Sequence, residues 1–215
     1  LLRFFNSTLN EIRDHTESDP LTLSRDSEEM SDCLGTVTKL SDSSTDPWAL
    51  STQSLRVWVS NKHQEADGIV SLELSPMKGL LPAAQPGAHI DLCFPDKHVA
   101  QYSLVNGPTE TDRYIIGVKR EEVGGGVSRH VHDELQQGDE INISPPKSHF
   151  ALRRDAVNTV LIAGGIGIMP ILSMAKTLSH VNLEFTLHYF VRSESHTAFA
   201  SDVGALGQDA NLHIG

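Results

Sequence analysis

The sequence predicts a chain in two structural parts, a six-stranded antiparallel barrel followed by a parallel α/β unit, and three observations carry that prediction. Between Leu55 and Ser144, short runs alternate apolar and polar residues with period two and are separated by turn residues, the pattern of half-buried antiparallel strands. At 159–163 the alternation gives way to a continuous apolar run, Thr-Val-Leu-Ile-Ala, which suits a strand covered on both faces of a parallel sheet. That run breaks into Gly164, Gly165 and Gly167, meets Pro170 and resumes as ILSMAKTL, so a strand, a tight turn and a helix follow in order.

In chain order, residues 1–15 place Leu2, Phe5, Leu9 and Ile12 at spacings of three and four, which predicts an amphipathic helix. From residue 16 to 54 the composition turns to Ser, Asp, Glu and Thr, too polar to order itself, and reads as a linker. Six strands follow over 55–61, 69–74, 89–94, 101–106, 114–119 and 140–144; a closed barrel removes their edges. One helix interrupts them over 127–135, entered through Gly124, Gly125 and Gly126. Pro145 and Pro146 close the barrel. Strand 158–163, helix 170–178 and strand 185–191 then form a βαβ unit with a right-handed crossover, and a helix over 199–206 leads to a strand around Leu212. The expected division is 1–54 as helix and acidic linker, 55–150 as barrel and 151–215 as α/β unit. With no Met at residue 1 and a strand at its end, the chain is expected to be part of a longer polypeptide.

Composition narrows the function. A net charge of -11 excludes a nucleic-acid binder, which needs a basic face. No apolar run reaches the roughly 18 residues of a membrane span, and no signal peptide is visible, so a cytoplasmic protein is expected. Cys33 and Cys93 stand far apart without a CxxC, which leaves no framework for an iron–sulfur cluster or structural zinc within this chain. His130 and His132 lie two apart on a helix and face different ways, and HExxH is absent, so no metal site is expected. A GxSxG elbow is also absent.

Two glycine-rich turns feed helix starts, where free backbone N–H groups favour anions. The turn at 164–170 reads GxGxxP and lacks the third glycine of the usual dinucleotide fingerprint, so packing of helix on sheet is the alternative use. The turn at 124–128 offers Ser128 and Arg129 as extra donors.

Five pieces in order give these turns a context: Pro86-Gly87-Ala88-His89-Ile90-Asp91, Gln101-Tyr102-Ser103-Leu104, the turn 124–128, the turn 164–170, and Tyr189 to Arg192 followed by Ala198-Phe199. Over about 55–215 the chain resembles the ferredoxin–NADP reductase superfamily, and within it the phthalate dioxygenase reductase and vanillate demethylase reductase branch. The resemblance implies a flavin-binding barrel followed by a truncated Rossmann-like nucleotide domain. It implies an NAD(P)H-dependent flavin oxidoreductase that passes electrons to an iron–sulfur or haem partner. Tyr102 would pack on the flavin ring and Ser103 would hydrogen-bond the ring nitrogen that accepts hydride, as the catalytic pair. Gln101, Leu104, Gly124, Gly125, Gly126, Val127 and Ser128 would hold the flavin, and the short glycine-serine turn implies FMN rather than FAD. Gly165, Gly167, Met169, Pro170 and Arg192 would meet NAD(P)H.

Two positions depart from the family pattern. Its Arg-x-Tyr-Ser has Ala100 in the arginine position, so the flavin phosphate loses its usual cation; Lys97, His98, Lys119 and Arg129 are the candidate replacements. Met169 replaces the usual Thr of the glycine turn. The branch also carries a [2Fe–2S] ferredoxin module, which is expected outside this chain, in the same polypeptide, with an oxygenase or haem domain as the other candidate partner. The linker and first helix are expected to be the tail of an upstream domain. The competing readings are a non-catalytic docking domain that has lost flavin, which Ala100 would permit, and an FAD-binding relative that reduces small quinones or haem proteins directly.

Overall fold

A computed structural model describes residues 54–94, 99–123, 126–153, 156 and 158–215. The amphipathic segment 1–15, the acidic stretch to residue 53 with Cys33, the candidate cations Lys97 and His98, and Gly124 and Gly125 lie outside the described residues.

Six strands build the first unit: β1 (Leu55–Ala66), β2 (Ile69–Pro76), β3 (His89–Cys93), β4 (Ala100–Ser103), β5 (Tyr114–Lys119) and β6 (Glu140–Ile143). They pair antiparallel in the order β4-β3-β6-β1-β2-β5. A bridge between Leu104 and Ile116, with the Val105 N–H donating to the Ile115 carbonyl at 2.9 Å, joins the two ends and closes the barrel. Alternation explains the core. Val57, Val59, Leu72, Leu74, Ile90, Leu92, Ile116, Val118 and Ile143 are buried in one core, while Trp58, Glu73, Ile115 and Lys119 beside them are exposed or half-buried; Ser71, Asp91, Cys93 and Gly117 are buried as well. The helix α1 (Val127–Asp133) plugs one end through Val127 and Val131.

Strand β1 runs five residues beyond its expected end at 61. The polar run after Asn61 pairs with β2 through register shifts at Val59/Asn61 and Gln64/Ala66, and Gly68 turns the hairpin at φ 68°. Bulges of this kind leave no mark in a period-two pattern.

The second unit comprises β7 (Thr159–Gly164), a 3-10 turn (Gly165–Gly167), α2 (Ile168–His180), β8 (Phe185–Val191), α3 (Ala200–Ala205) and β9 (Ala210–Ile214), with the parallel order β7-β8-β9. Leu161, Ala163, Phe185, Leu187, Tyr189 and Val191 pack with Ile168, Ile171, Leu172 and Ala175 of α2. The structure differs from the sequence expectation in two respects. Val160 and Ile162 are 62% and 58% exposed, so among the described residues β7 is covered on one face only. Helix α2 starts at Ile168, which puts Pro170 third; its missing N–H still falls among the unpaired donors of a helix start.

The two units share a packed boundary. Ala66, Ile69 and Val105 of the barrel join the α2 core. Asn106, directly after the strand that closes the barrel, is the polar brace there. Its Nδ2 donates to the Arg113 carbonyl and its Oδ1 accepts the Ile115 N–H, both at 2.7 Å, while its carbonyl accepts the Ser173 hydroxyl at 2.7 Å. Asn106 is 3% exposed. Replacing it with Ala leaves the Arg113 carbonyl and Ile115 N–H without these partners. The expected loss is about 1–3 kcal/mol of unfolding free energy, measured as a lower urea midpoint at unchanged m-value; an unchanged midpoint would refute the brace.

Candidate functional site

Where the barrel meets the start of α2, a cleft of about 480 Å³ opens. That volume lies in the range of sites that take a cofactor-sized ligand. One wall comes from β4 and the residue before it, with Val99, Ala100, Gln101 and Tyr102. Gly117, Lys119 and Glu121 of β5 and its continuation line it too, as do Gly126, Val127 and Ser128 at the start of α1. Ile166 and Met169 complete the lining from the second unit.

The floor is set by Gly117. Its backbone N–H donates to the Met169 Sδ at 2.9 Å. A Cβ at Gly117 would stand 2.7 Å from that sulfur and 3.0 Å from the Phe199 ring, so only glycine lets the strand, α2 and Phe199 meet without a shift. Phe199 itself sits in the left-handed region at φ 55°, with its N–H donating to Glu65 Oε2 at 3.2 Å.

Tyr102 is half-buried at the edge of the barrel core. Its phenol pKa is pushed up to about 12, first by burial and then by the Glu121 carboxylate. It is therefore a neutral hydrogen-bonding ring, able to pack against an apolar ligand and donate its O–H. Gly126 takes φ 82° at the entry to α1, a conformation that favours glycine. The Ser128 hydroxyl accepts the Glu121 N–H at 3.2 Å and keeps its own proton to donate. Arg120 is committed to Asp133 and to Glu122, the latter at 3.3 Å. Lys119 and Arg129 hold no ion pair among the described residues. Four elements thus deliver an apolar floor, a phenol, a hydroxyl and the Lys119 cation to one opening.

The structure gathers Gln101, Tyr102, Lys119, Gly126, Val127, Ser128 and Met169 of the sequence-derived set around this cleft. Ser103 is half-buried one residue beyond the lining, opposite His89 in the β3–β4 pair. Leu104 is a core residue, 1% exposed, whose N–H is taken by the Ala88 carbonyl at 2.9 Å. Gly165, Gly167 and Pro170 lie on the adjoining turn and first helical turn, and Arg192 is exposed just past the end of β8. Of the three glycines in the turn, Gly165 alone has positive φ, at 50°. Sequence reasoning passed over Gly117, Glu121, Ile166 and Val99. Gly117 carried a signal, since a glycine inside a strand pattern marks a close approach; the other three carried none. Among the described residues no cluster of three or more His, Cys, Asp or Glu could hold a metal, and no helix is long and apolar enough to cross a membrane.

No family model matches the chain. The vanillate O-demethylase oxidoreductase of Pseudomonas putida is 43% identical over 141 residues, covering 66% of this chain and 44% of that protein. A solved phthalate dioxygenase reductase, described as a modular structure for electron transfer from pyridine nucleotides to [2Fe–2S], superposes with a TM-score of 0.72 at 35% identity, covering 75% of this chain and 51% of that one. An intact type IV self-sufficient cytochrome P450 monooxygenase superposes with a TM-score of 0.72 at 30% identity, over 75% of this chain and 21% of that one. The chain spans 44% of that vanillate O-demethylase oxidoreductase and less than half of the length of other curated relatives such as the tetrachlorobenzoquinone reductase of Sphingobium chlorophenolicum, 39% identical, of which it covers 48%.

Tyr102 gives the cleft a measurable titration. A folded pKa near 12, above the usual value of 10, means the phenol stays protonated through pH 10 and ionises two decades later than a free tyrosine. Its contribution to stability is full below pH 10 and is lost as pH rises from 10 to 12. Ultraviolet difference titration of the native protein should lose one late-ionising phenol in Tyr102→Phe; an unchanged titration would refute this burial.

Proposed function

We propose that this chain, which belongs to the ferredoxin–NADP reductase superfamily alongside the phthalate dioxygenase and vanillate demethylase reductases, is the flavin and nicotinamide part of an electron-transfer reductase. In this reading residues 55–150 form the flavin barrel and 151–215 belong to the NAD(P)H domain. The flavin is FMN, and the electrons go to an iron–sulfur or haem partner of an oxygenase-type system. The protein is placed in the cytoplasm. The carrying observation is the cleft itself, which puts Tyr102, Ser128 and Met169 from three separate elements around one opening between barrel and α2.

The residues fit such a cofactor. Val127, Ile166 and Met169 supply apolar surface, and the positive φ of Gly126 turns the backbone into α1 beside the cleft. A flavin held there by Tyr102, Val127, Ser128 and Met169 would supply hydride acceptance from reduced nicotinamide and one-electron release. The protein's own part is positioning. Tyr102 provides a neutral ring face and an O–H that does not ionise at physiological pH. Ser103, in the same strand, is proposed to donate its hydroxyl toward the hydride-accepting nitrogen. Ser128 donates to a phosphate oxygen. The turn of Gly165 and Gly167, leading to Pro170, admits the dinucleotide, and Arg192 meets its adenosine end. Met169 lines the cleft, and its sulfur, which accepts the Gly117 N–H, would form the floor beneath a bound flavin.

The docking-domain alternative is not favoured, because a domain that had lost flavin has no reason to keep open a cleft lined by a phenol, a free hydroxyl donor and a cation. Protein reconstituted with FMN should be yellow and should bleach without oxygen on addition of NADH or NADPH. Ser103→Ala should slow bleaching by about tenfold to a hundredfold at unchanged FMN affinity. Protein that takes up no flavin would sink the proposal, and extraction of FAD would redirect it to the other flavin.

A further inference from the structure

The hairpin between β1 and β2 is bonded to the second unit through both carboxylates beside its turn, and both are spent on one loop, residues 192–199, which follows β8. The Asp67 N–H donates to the Ser195 carbonyl at 2.8 Å, and the Ser195 hydroxyl donates to Asp67 Oδ2. Two residues earlier, Glu65 Oε2 accepts the Phe199 N–H at 3.2 Å, while its Oε1 accepts the Ser71 hydroxyl at 2.7 Å. A single hairpin of the barrel thus grips the loop at Ser195 and at Phe199.

We infer that Asp67 is a positioning residue for the nicotinamide nucleotide: from the flavin barrel it fixes the loop that begins with Arg192, and so sets where the adenosine end is met. This rests on the flavin and nicotinamide reading above. The two ends of the loop are held by different means. Thr197, Ala198 and Phe199 are buried, the Ala198 N–H donates to the Tyr189 hydroxyl at 3.2 Å, and the Phe199 ring lies against Gly117 at the floor of the cleft, so packing places that end. Arg192, Glu194 and Ser195 are exposed, and no such packing places them. The Ser193 hydroxyl bonds only within the loop, to His196 Nδ1 at 2.8 Å and to the Ser195 hydroxyl at 3.1 Å. Among the described residues, the hydrogen bonds that tie 193–196 to anything beyond the loop end on Asp67.

The pair is reciprocal. One backbone bond and one side-chain bond between the same two residues fix the direction of the loop as well as its distance. Exposed bonds of this kind add little to global stability, so losing the carboxylate acts on the loop and leaves the fold standing. A loop already held in its bound conformation has less freedom to lose when a ligand arrives. Removing the Asp67 side chain should therefore weaken nucleotide binding without slowing the step that follows it.

The test has one readout without cofactor and one with it. In the full chain without flavin, Asp67→Ala should speed amide hydrogen exchange in 193–196 by about tenfold, with α2 unchanged. In protein reconstituted with FMN, the variant should raise the concentration of NADH or NADPH, whichever wild type uses, that half-saturates anaerobic bleaching by about threefold to tenfold. The saturating rate and FMN affinity should stay the same. Ser195→Ala should act alike, the double variant should cost no more than either single one, and Asp67→Asn, which keeps an acceptor for the hydroxyl, should stay within about twofold of wild type. Unchanged loop exchange or unchanged half-saturation in Asp67→Ala overturns the assignment. A parallel fall in FMN affinity and melting temperature also overturns it, since Asp67 would then hold the fold as a whole. Wild-type protein that neither nicotinamide bleaches refutes the underlying reading, and with it any role of Asp67 toward the nucleotide; the exchange measurement, which needs no cofactor, separates that failure from a failure of the Asp67 contact.

Discussion

The junction at Gly117 is the constraint on which the site depends. A backbone N–H in the middle of a barrel strand donates to a thioether on the first turn of α2, and an aromatic ring closes over both. A sulfur acceptor is a weak partner in itself. Its consequence is geometric: it fixes how deeply the start of α2 enters the mouth of the barrel. The neighbouring contacts share the load. Phe199 keeps its uncommon left-handed backbone because its N–H reaches Glu65, and Glu65 is steadied by the Ser71 hydroxyl at 2.7 Å. Strain of this kind persists where surroundings over-determine it, and here those surroundings come from both units.

Charge is distributed with similar economy. The protein is strongly acidic as a whole, which keeps nonspecific anions away from its surface. Around the cleft, however, Arg120 is locked into carboxylate pairs, while Lys119, which lines the cleft, holds no ion pair among the described residues. The buried phenol of Tyr102 stays neutral beside Glu121 because burial and that carboxylate act in the same direction. An anionic ligand in the cleft would therefore face one acidic side chain, Glu121, and one basic one, Lys119, with a neutral ring along the wall.

Much of this was legible in the sequence, and the parts that were not share a cause. Alternation located each barrel strand, since one face of every strand meets the same core; Val57, Leu72, Ile90 and Ile116 are all where that rule puts them. The rule fails at β1, where bulges carry polar residues into the sheet. It also fails at β7, whose unbroken apolar run implied cover on both faces, while Val160 and Ile162 face outward. Tyr102, Ser128 and Met169 could be picked out because they sit in recognisable motifs. Glu121 could not, since no motif contains it and its place in the cleft comes from the fold; Ile166 lies inside the 164–170 motif, but an apolar residue there carried no sign that it lines a cleft. Gly117 lay between these cases: its residue type announced a close approach, and only the fold named the partner.

Ala100 and Met169, where the family resemblance implies an arginine and a threonine, both line the cleft. Against that expectation each lacks a polar group, a guanidinium in one case and a hydroxyl in the other. A guanidinium missing at Ala100 falls on the half-buried cleft wall, where a flexible cation could move in at modest cost. Loss of the hydroxyl acts at the buried junction, where Met169 is already tied to Gly117 and packed on Phe199. A replacement there cannot come from a neighbour without disturbing the contact that sets the two units against each other. The first position can thus be compensated locally. The second is part of the architecture, and a threonine placed at position 169 would add a polar group only by giving up the sulfur that holds the floor of the cleft.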